Sequence, residues 1–194
     1  MVRREGLSGP RPDEGQPRTA APCPPMAGSA RRAPAAGEEG AKEGAVRIGP
    51  LRPEDCAPLA AGCADAADPW SAADLAAELG KETSRCFAAY LGERAAGFAC
   101  FSLLEETAEL GMVAVASPLR GRGIAGALLA AALCRLAAAG ARRCLLEVRC
   151  SNAPALALYR RLGFAPLARR PALFDRPRED GFTMELALPA AMGE

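Results

Sequence analysis

The sequence predicts one mixed α/β domain preceded by a tail, and three observations carry that prediction. Strand-like runs outnumber helical ones. Two of these runs are joined by a tight turn, as antiparallel strands are, while others are separated by helical segments, as parallel crossovers require. Hairpins beside crossovers argue against a doubly wound parallel sheet. Half of the 194 residues are apolar, which suits a globular core, and the length suits a single domain with an extension.

Residues 1–44 are rich in Pro, Gly, Ala, Arg and Glu and show no sustained period. Such a composition buries too little apolar surface to order itself, so this stretch reads as a disordered tail. It is polar and proline-rich, unlike a secretory signal. Acids such as Glu5, Asp13, Glu14, Glu38 and Glu39 are unlike a transit peptide. The domain is read as residues 45–190.

The elements follow in order. Val46-Arg-Ile48 alternates as a short strand. Arg52-Pro-Glu-Asp55 places proline and acids where a helix begins, predicting a helix over 54–64. Ser71 is placed to cap a second helix over 72–79, stopped by Gly80. Strands are expected at 85–91 and 94–104, joined by Gly92-Glu93, and at 108–115. A helix follows to about 139, then a strand at 143–149 and a helix from Asn152 to Leu162. Strands at 164–169 and 182–188 close the domain, for an order of β-α-α-β-β-β-α-β-α-β-β.

Composition removes several kinds of chemistry. Histidine is absent, which excludes Ser-His-Asp and Cys-His catalysis and every histidine metal site. Acid–base work falls to carboxylates, Tyr, Lys or Cys. The eight cysteines form no Cys-x-x-Cys pair, so they read as reduced thiols of a cytoplasmic protein and no metal is expected. The net charge of +1 gives no reason to expect nucleic acid, and no apolar run is long enough to suggest a membrane span.

The segment richest in function is Leu119-Arg-Gly-Arg-Gly-Ile-Ala-Gly126, between the strand at 108–115 and a helix. Strand, glycine turn and helix bring unpaired backbone N–H groups together around an anion, and Arg120 and Arg122 add positive charge. The P-loop pattern is absent. Gly121, Gly123 and Gly126 match the dinucleotide fingerprint formally, but that fingerprint belongs to the first strand of a βαβ unit, and this turn follows at least three strands.

Arg120-x-x-Gly123-x-Ala125 resembles the pyrophosphate loop of the Gcn5-related N-acetyltransferases (GNAT). Glu109-Leu-Gly-Met-Val-Ala-Val115 is similar to that superfamily's central strand. Asn152-Ala-Pro-Ala-Leu-Ala-Leu-Tyr-Arg-Arg-Leu-Gly-Phe164 is similar to its last conserved segment. Within the superfamily, Pro69-Trp70-Ser71, Leu146-Glu-Val-Arg149 and Arg178-Glu-Asp180 resemble the ribosomal-protein alanine N-acetyltransferase (RimI) group. The resemblance implies a GNAT fold, a mixed central sheet with a splayed pair of strands and helices on both faces. It implies acetyl-CoA as co-substrate, held by Gly121, Arg122, Gly123, Ile124, Ala125 and Gly126 with Arg120 and Asn152. The backbone of Val113, Ala114 and Val115 would pair with the pantetheine arm.

The same resemblance makes Glu147 the base and Tyr159 the acid of an amine acetylation. As bare patterns, Glu147 is also an outward residue able to pair with Arg149, and Tyr159 a helix residue packing its ring in the core. Cys144 and Cys150 fall on the opposite strand face from Glu147 and receive no catalytic role. The implied acceptor is a protein N-terminal α-amine, foremost the N-terminal alanine of a small-subunit ribosomal protein. A small-molecule amine, a lysine, or acyl-CoA binding without turnover remain as alternatives. The group's Leu-Asn-Ile is Gly111-Met112-Val113 here, and its tyrosine pair is replaced within Pro171-Ala-Leu-Phe174. Both departures lie where the acceptor is expected.

Overall fold

The structure is a computed structural model that describes residues 45–66 and 68–190; the tail read at 1–44 lies outside them. Among the described residues, seven strands form one sheet: β1 (Val46–Pro50), β2 (Ser84–Leu91), β3 (Arg94–Leu104), β4 (Thr107–Val115), β5 (Arg143–Arg149), β6 (Ala165–Asp175) and β7 (Arg178–Ala187). Their spatial order is β1-β2-β3-β4-β5-β7-β6. Neighbours are antiparallel except β4 and β5, which are parallel. The helices are α1 (Cys56–Gly62), α2 (Ala72–Leu79), α3 (Ile124–Ala138) and α4 (Ala153–Arg161). The element order is the one expected.

Helices cover both faces of the sheet. On one face, Leu59 of α1 and Leu75 of α2 pack with Tyr90, Phe98 and Cys100. On the other, Leu128, Leu129 and Leu136 of α3 and Leu156 of α4 pack with Phe101, Leu146 and Met184. The second strand supplies both cores because successive side chains alternate: Ala89 joins one and Tyr90 the other.

The Ser71 cap forms as read. Its Oγ accepts from the Asp74 N–H at 3.2 Å, and the Asp74 carboxylate accepts from the Ser71 N–H at 2.8 Å. This capping box stabilises the helix by about 1 kcal/mol. The first helix differs from expectation. The region read as a helix over 54–64 opens as a short 3-10 turn over Pro53–Asp55, and α1 runs only from Cys56 to Gly62. Asp55 does not cap it, because its carboxylate is engaged by Arg52 Nε and by the Tyr90 hydroxyl, each at 2.8 Å.

The last two strands are longer than the expected 164–169 and 182–188. Pairing resumes at Phe174↔Glu179 and Asp175↔Arg178 beyond a bulge in β6 between Arg170 and Phe174. Pro171 falls in that bulge and on the outermost strand of the sheet, where its missing N–H removes no ladder bond.

The feature that creates a site is the end of the parallel pairing. β4 and β5 pair from Thr107↔Arg143 to Leu110↔Leu146 and no farther. β4 continues beside β3 to Val115↔Gly97, while β5 continues beside β7 to Arg149↔Gly181. A bulge marks the divergence: Phe101 pairs with Leu110 and Cys100 with Met112, so Gly111 is the extra residue.

Candidate active site

The splay between β4 and β5 opens a cavity of about 270 Å³. Val113 of β4 lines one side and Glu147 of β5 the other; Asn152 and Tyr159, at the start and end of α4, line it as well. Trp70, Asp68 and Phe174 also line it.

The β4 edge offers backbone groups. The Ala116 N–H bonds to the Ala96 carbonyl, so alternation turns the N–H and C=O of Val115 and Val113 to the opposite edge, where β5 has departed. The carbonyl of Val115 accepts from Arg120 Nε at 2.9 Å. Ala114 faces its own groups towards β3.

Glu147 sits on β5 opposite Thr183, and its side chain is 38% exposed. Its carboxylate accepts a 2.7 Å hydrogen bond from Arg170 of β6. Arg149, two positions along the same strand, does not pair with it. That guanidinium is buried and bonds to both Asp68 oxygens at 3.0 Å, to the carbonyls of Arg176 and Pro177, and more distantly to Glu179. It also stacks on the Phe174 ring at 4.3 Å.

Tyr159 is 6% exposed, and its ring meets Phe164 edge-on at 5.8 Å. Burial, with a smaller contribution from nearby Cys144, pushes its hydroxyl pKa up to about 12. It is therefore a neutral phenol, able to donate a proton, at any physiological pH. Its ring packs in the core and the residue also lines the cavity.

The glycine turn forms a cradle. Gly121 and Gly123 have φ of +75° and +78°, the left-handed region that favours glycine. Gly123 opens α3 without a side-chain cap. Among the described residues, the backbone N–H groups of Gly121, Arg122, Gly123, Ile124, Ala125 and Gly126 meet no protein acceptor. This arrangement fits a diphosphate. Arg122 stays beside the turn, its Nη2 3.3 Å from the Pro118 carbonyl. Arg120 turns away, to the Val115 carbonyl and to Asp65, at 2.7 Å for each of two bonds. Asn152 caps α4, its Oδ1 accepting from the Ala155 N–H at 3.2 Å.

Sequence reasoning missed Asp65, Asp68 and Arg170. None carries a local signal, since each meets its partner across long stretches of chain. A Cβ at Gly111 would sit in ordinary contact with the Trp70 ring, at 3.5 Å. The described cysteines, Cys144 and Cys150 among them, are all free thiols.

Residues 54–164 match the acetyltransferase (GNAT) family. The chain belongs to that family. GNAT members are acetyl-CoA-dependent acyltransferases, and the cradle and splayed edge described above belong to a GNAT domain. The crystal structure of the ribosomal-protein-S18-alanine N-acetyltransferase from Escherichia coli is similar with a TM-score of 0.67 and 28% identity, over 77% of this chain and 97% of that one. An uncharacterised protein of Mycobacterium leprae is 34% identical over 150 residues, covering 72% of this chain and 40% of the relative. The N-alpha-acetyltransferase MAK3 of Arabidopsis thaliana is 39% identical over 80 residues, 41% of this chain and 42% of the relative. The chain thus spans less than half the length of these two curated relatives.

Proposed function

We propose that this GNAT domain transfers an acetyl group from acetyl-CoA to the α-amine at a protein N-terminus, in the cytoplasm, with the N-terminal alanine of a small-subunit ribosomal protein as the leading acceptor. The observation that carries the reading is the convergence of Glu147, Tyr159 and the unpaired edge of β4 on one cavity beside a phosphate cradle. The similarity to the Escherichia coli S18-alanine enzyme, over nearly its whole length, supports the choice of acceptor.

Acetyl-CoA supplies an activated acetyl thioester. The N–H groups of Gly121 to Gly126 hold its diphosphate, with Arg122 beside them, and Arg120 holds the end of β4 in place. The backbone groups of Val113 and the N–H of Val115 pair with an extended arm as an added strand would, and these N–H groups can polarise a carbonyl. Glu147 takes the proton of the acceptor ammonium, directly or through one water; with an α-amine pKa of about 7.7–8.0, a carboxylate is a sufficient base. The freed nitrogen adds to the thioester carbonyl, the carbon–sulfur bond breaks as the Tyr159 hydroxyl gives its proton to the departing sulfur, and the second proton shed by the nitrogen as it becomes an amide passes back to the phenolate, leaving one proton on Glu147 to go to water.

Thermal shift with acetyl-CoA, followed by acetylation of a peptide beginning with alanine, tests this. Stabilisation by acetyl-CoA and turnover reduced about 100-fold or more in Tyr159→Phe are expected. Absence of stabilisation removes the co-substrate. Stabilisation without acetylation of any amine leaves a binding module in place of an enzyme.

A further inference from the structure

We propose that the Glu147–Arg170 pair selects acceptors carrying a carboxylate next to the reacting amine. That chemistry has two sources, an acidic residue directly after the N-terminal one or the α-carboxylate of a free amino acid. The inference rests on the acetyl-transfer reading above and adds the acceptor class.

Glu147 is the group that must receive the acceptor ammonium, and it is already neutralised. Arg170 Nη1 lies 2.7 Å from its Oε1. The two residues reach each other across β7, which at the level of Arg170 carries Gly181 and so has no side chain. The other nearby charges are committed elsewhere: Arg149 to Asp68, Glu179 and two backbone carbonyls, and Arg169 to Asp180. Arg170 is different. Its side chain is 57% exposed, and among the described residues its only hydrogen bond is the one to Glu147. Four of its five N–H donors therefore have no protein partner among the described residues, beside a carboxylate that lines the cavity.

A simple ammonium reaching Glu147 meets that guanidinium as a like charge. At about 4 Å such a contact costs about fivefold in affinity in water, and more as the entrance dries. An acceptor with a carboxylate beside its amine avoids the cost by exchanging partners. Its ammonium goes to Glu147, its carboxylate takes the planar fork of Arg170, and no charge is left alone. A lysine after the N-terminal residue adds a second cation and is rejected.

The test compares kcat/KM, read as released CoA thiol, for peptides differing only at the second residue (Ala-Asp, Ala-Asn, Ala-Lys) and for free alanine against alaninamide, in wild type, Arg170→Gln and Arg170→Glu. Wild type should favour Ala-Asp over Ala-Asn by about tenfold, chiefly through KM. Arg170→Gln should bring that ratio to within about twofold, and Arg170→Glu should turn the preference to Ala-Lys. If the carboxylate comes from a free amino acid, the same loss appears in that arm and not in the peptides. Ratios near one in wild type in both arms, or ratios unchanged in Arg170→Gln in both arms, overturn the proposal while leaving acetyl transfer intact. Failure to acetylate any acceptor, with acetyl-CoA still raising Tm, overturns the transfer reading and this selection with it.

Discussion

Arg149 holds Asp68 through two hydrogen bonds of 3.0 Å, tying the segment between α1 and α2 to the strand that carries Glu147. The same guanidinium bonds to the carbonyls of Arg176 and Pro177 and lies under the Phe174 ring. Both flanks of the entrance thus hang on one buried side chain. Asp68→Asn weakens one attachment and leaves the others, so we expect KM for the acceptor to rise several-fold with acetyl-CoA affinity unchanged. Arg149→Lys cannot reproduce the planar fork, and should cost about 3 kcal/mol in chemical denaturation. Equal stability of wild type and Arg149→Lys would show that the cluster does not hold the two flanks together.

Gly181 is a second point of control over the same entrance. A Cβ there would lie 2.6 Å from Leu173 Cδ2, 2.7 Å from Phe174 Cε2 and 3.1 Å from the Val148 carbonyl. The side chains of the β6 bulge therefore use the space the glycine leaves. Gly181→Ala must displace them and should destabilise the domain by about 1–3 kcal/mol. Trimming the nearer neighbour in Gly181→Ala/Leu173→Ala should recover part of that loss. An additive double mutant would show that the clash is not with Leu173.

Arg120 belongs to the cradle by motif but is held by Asp65 and the Val115 carbonyl, so its influence on acetyl-CoA should pass through the position of β4 and the turn. The pair is about half exposed, and such pairs contribute about 0.2–1 kcal/mol. Asp65→Asn and Arg120→Gln should each weaken acetyl-CoA binding by a similar small factor, and the double mutant should be no weaker than the worse single one. Fully additive losses by calorimetry would instead mean that Arg120 touches the ligand on its own.

Features whose partners lie a few residues apart were legible in the sequence. Ser71 finds Asp74, Asn152 finds Ala155, and Gly121 and Gly123 announce a left-handed turn by being glycine. The splayed strands and the roles of Glu147 and Tyr159 came from resemblance, since a carboxylate in a strand and a tyrosine in a helix have ordinary structural uses. The partner of Glu147 was not legible. Arg149 is its near neighbour, but the fold draws Arg149 to Asp68, 81 positions away, and brings in Arg170 from 23 positions away. The length of β6 and β7 was hidden for a related reason. Pro171 and its charged surroundings look like a loop, and only the empty side of Gly181 makes room for the bulge that lets pairing resume at Phe174.

The chain has two tyrosines, Tyr90 and Tyr159, and both are buried. Burial raises the Tyr90 hydroxyl pKa, the Asp55 carboxylate adds to the effect, and burial takes Tyr159 to about 12. A group whose pKa is raised by folding contributes stability that is fully present below its unfolded value and is lost as pH rises through the folded one. For Tyr159 that window runs from about 10, the value of a free tyrosine, to about 12. Tyr159 should therefore contribute no tyrosinate absorbance step near pH 10 in the native protein, while it titrates there in the urea-unfolded chain. Stability should fall with pH across the window, and less steeply in Tyr159→Phe. The turnover profile of an enzyme using Tyr159 as its acid should stay flat through pH 9 on the alkaline side. A native tyrosinate step near pH 10 that disappears in Tyr159→Phe would show that the hydroxyl is solvated, and would remove burial as the reason it keeps its proton.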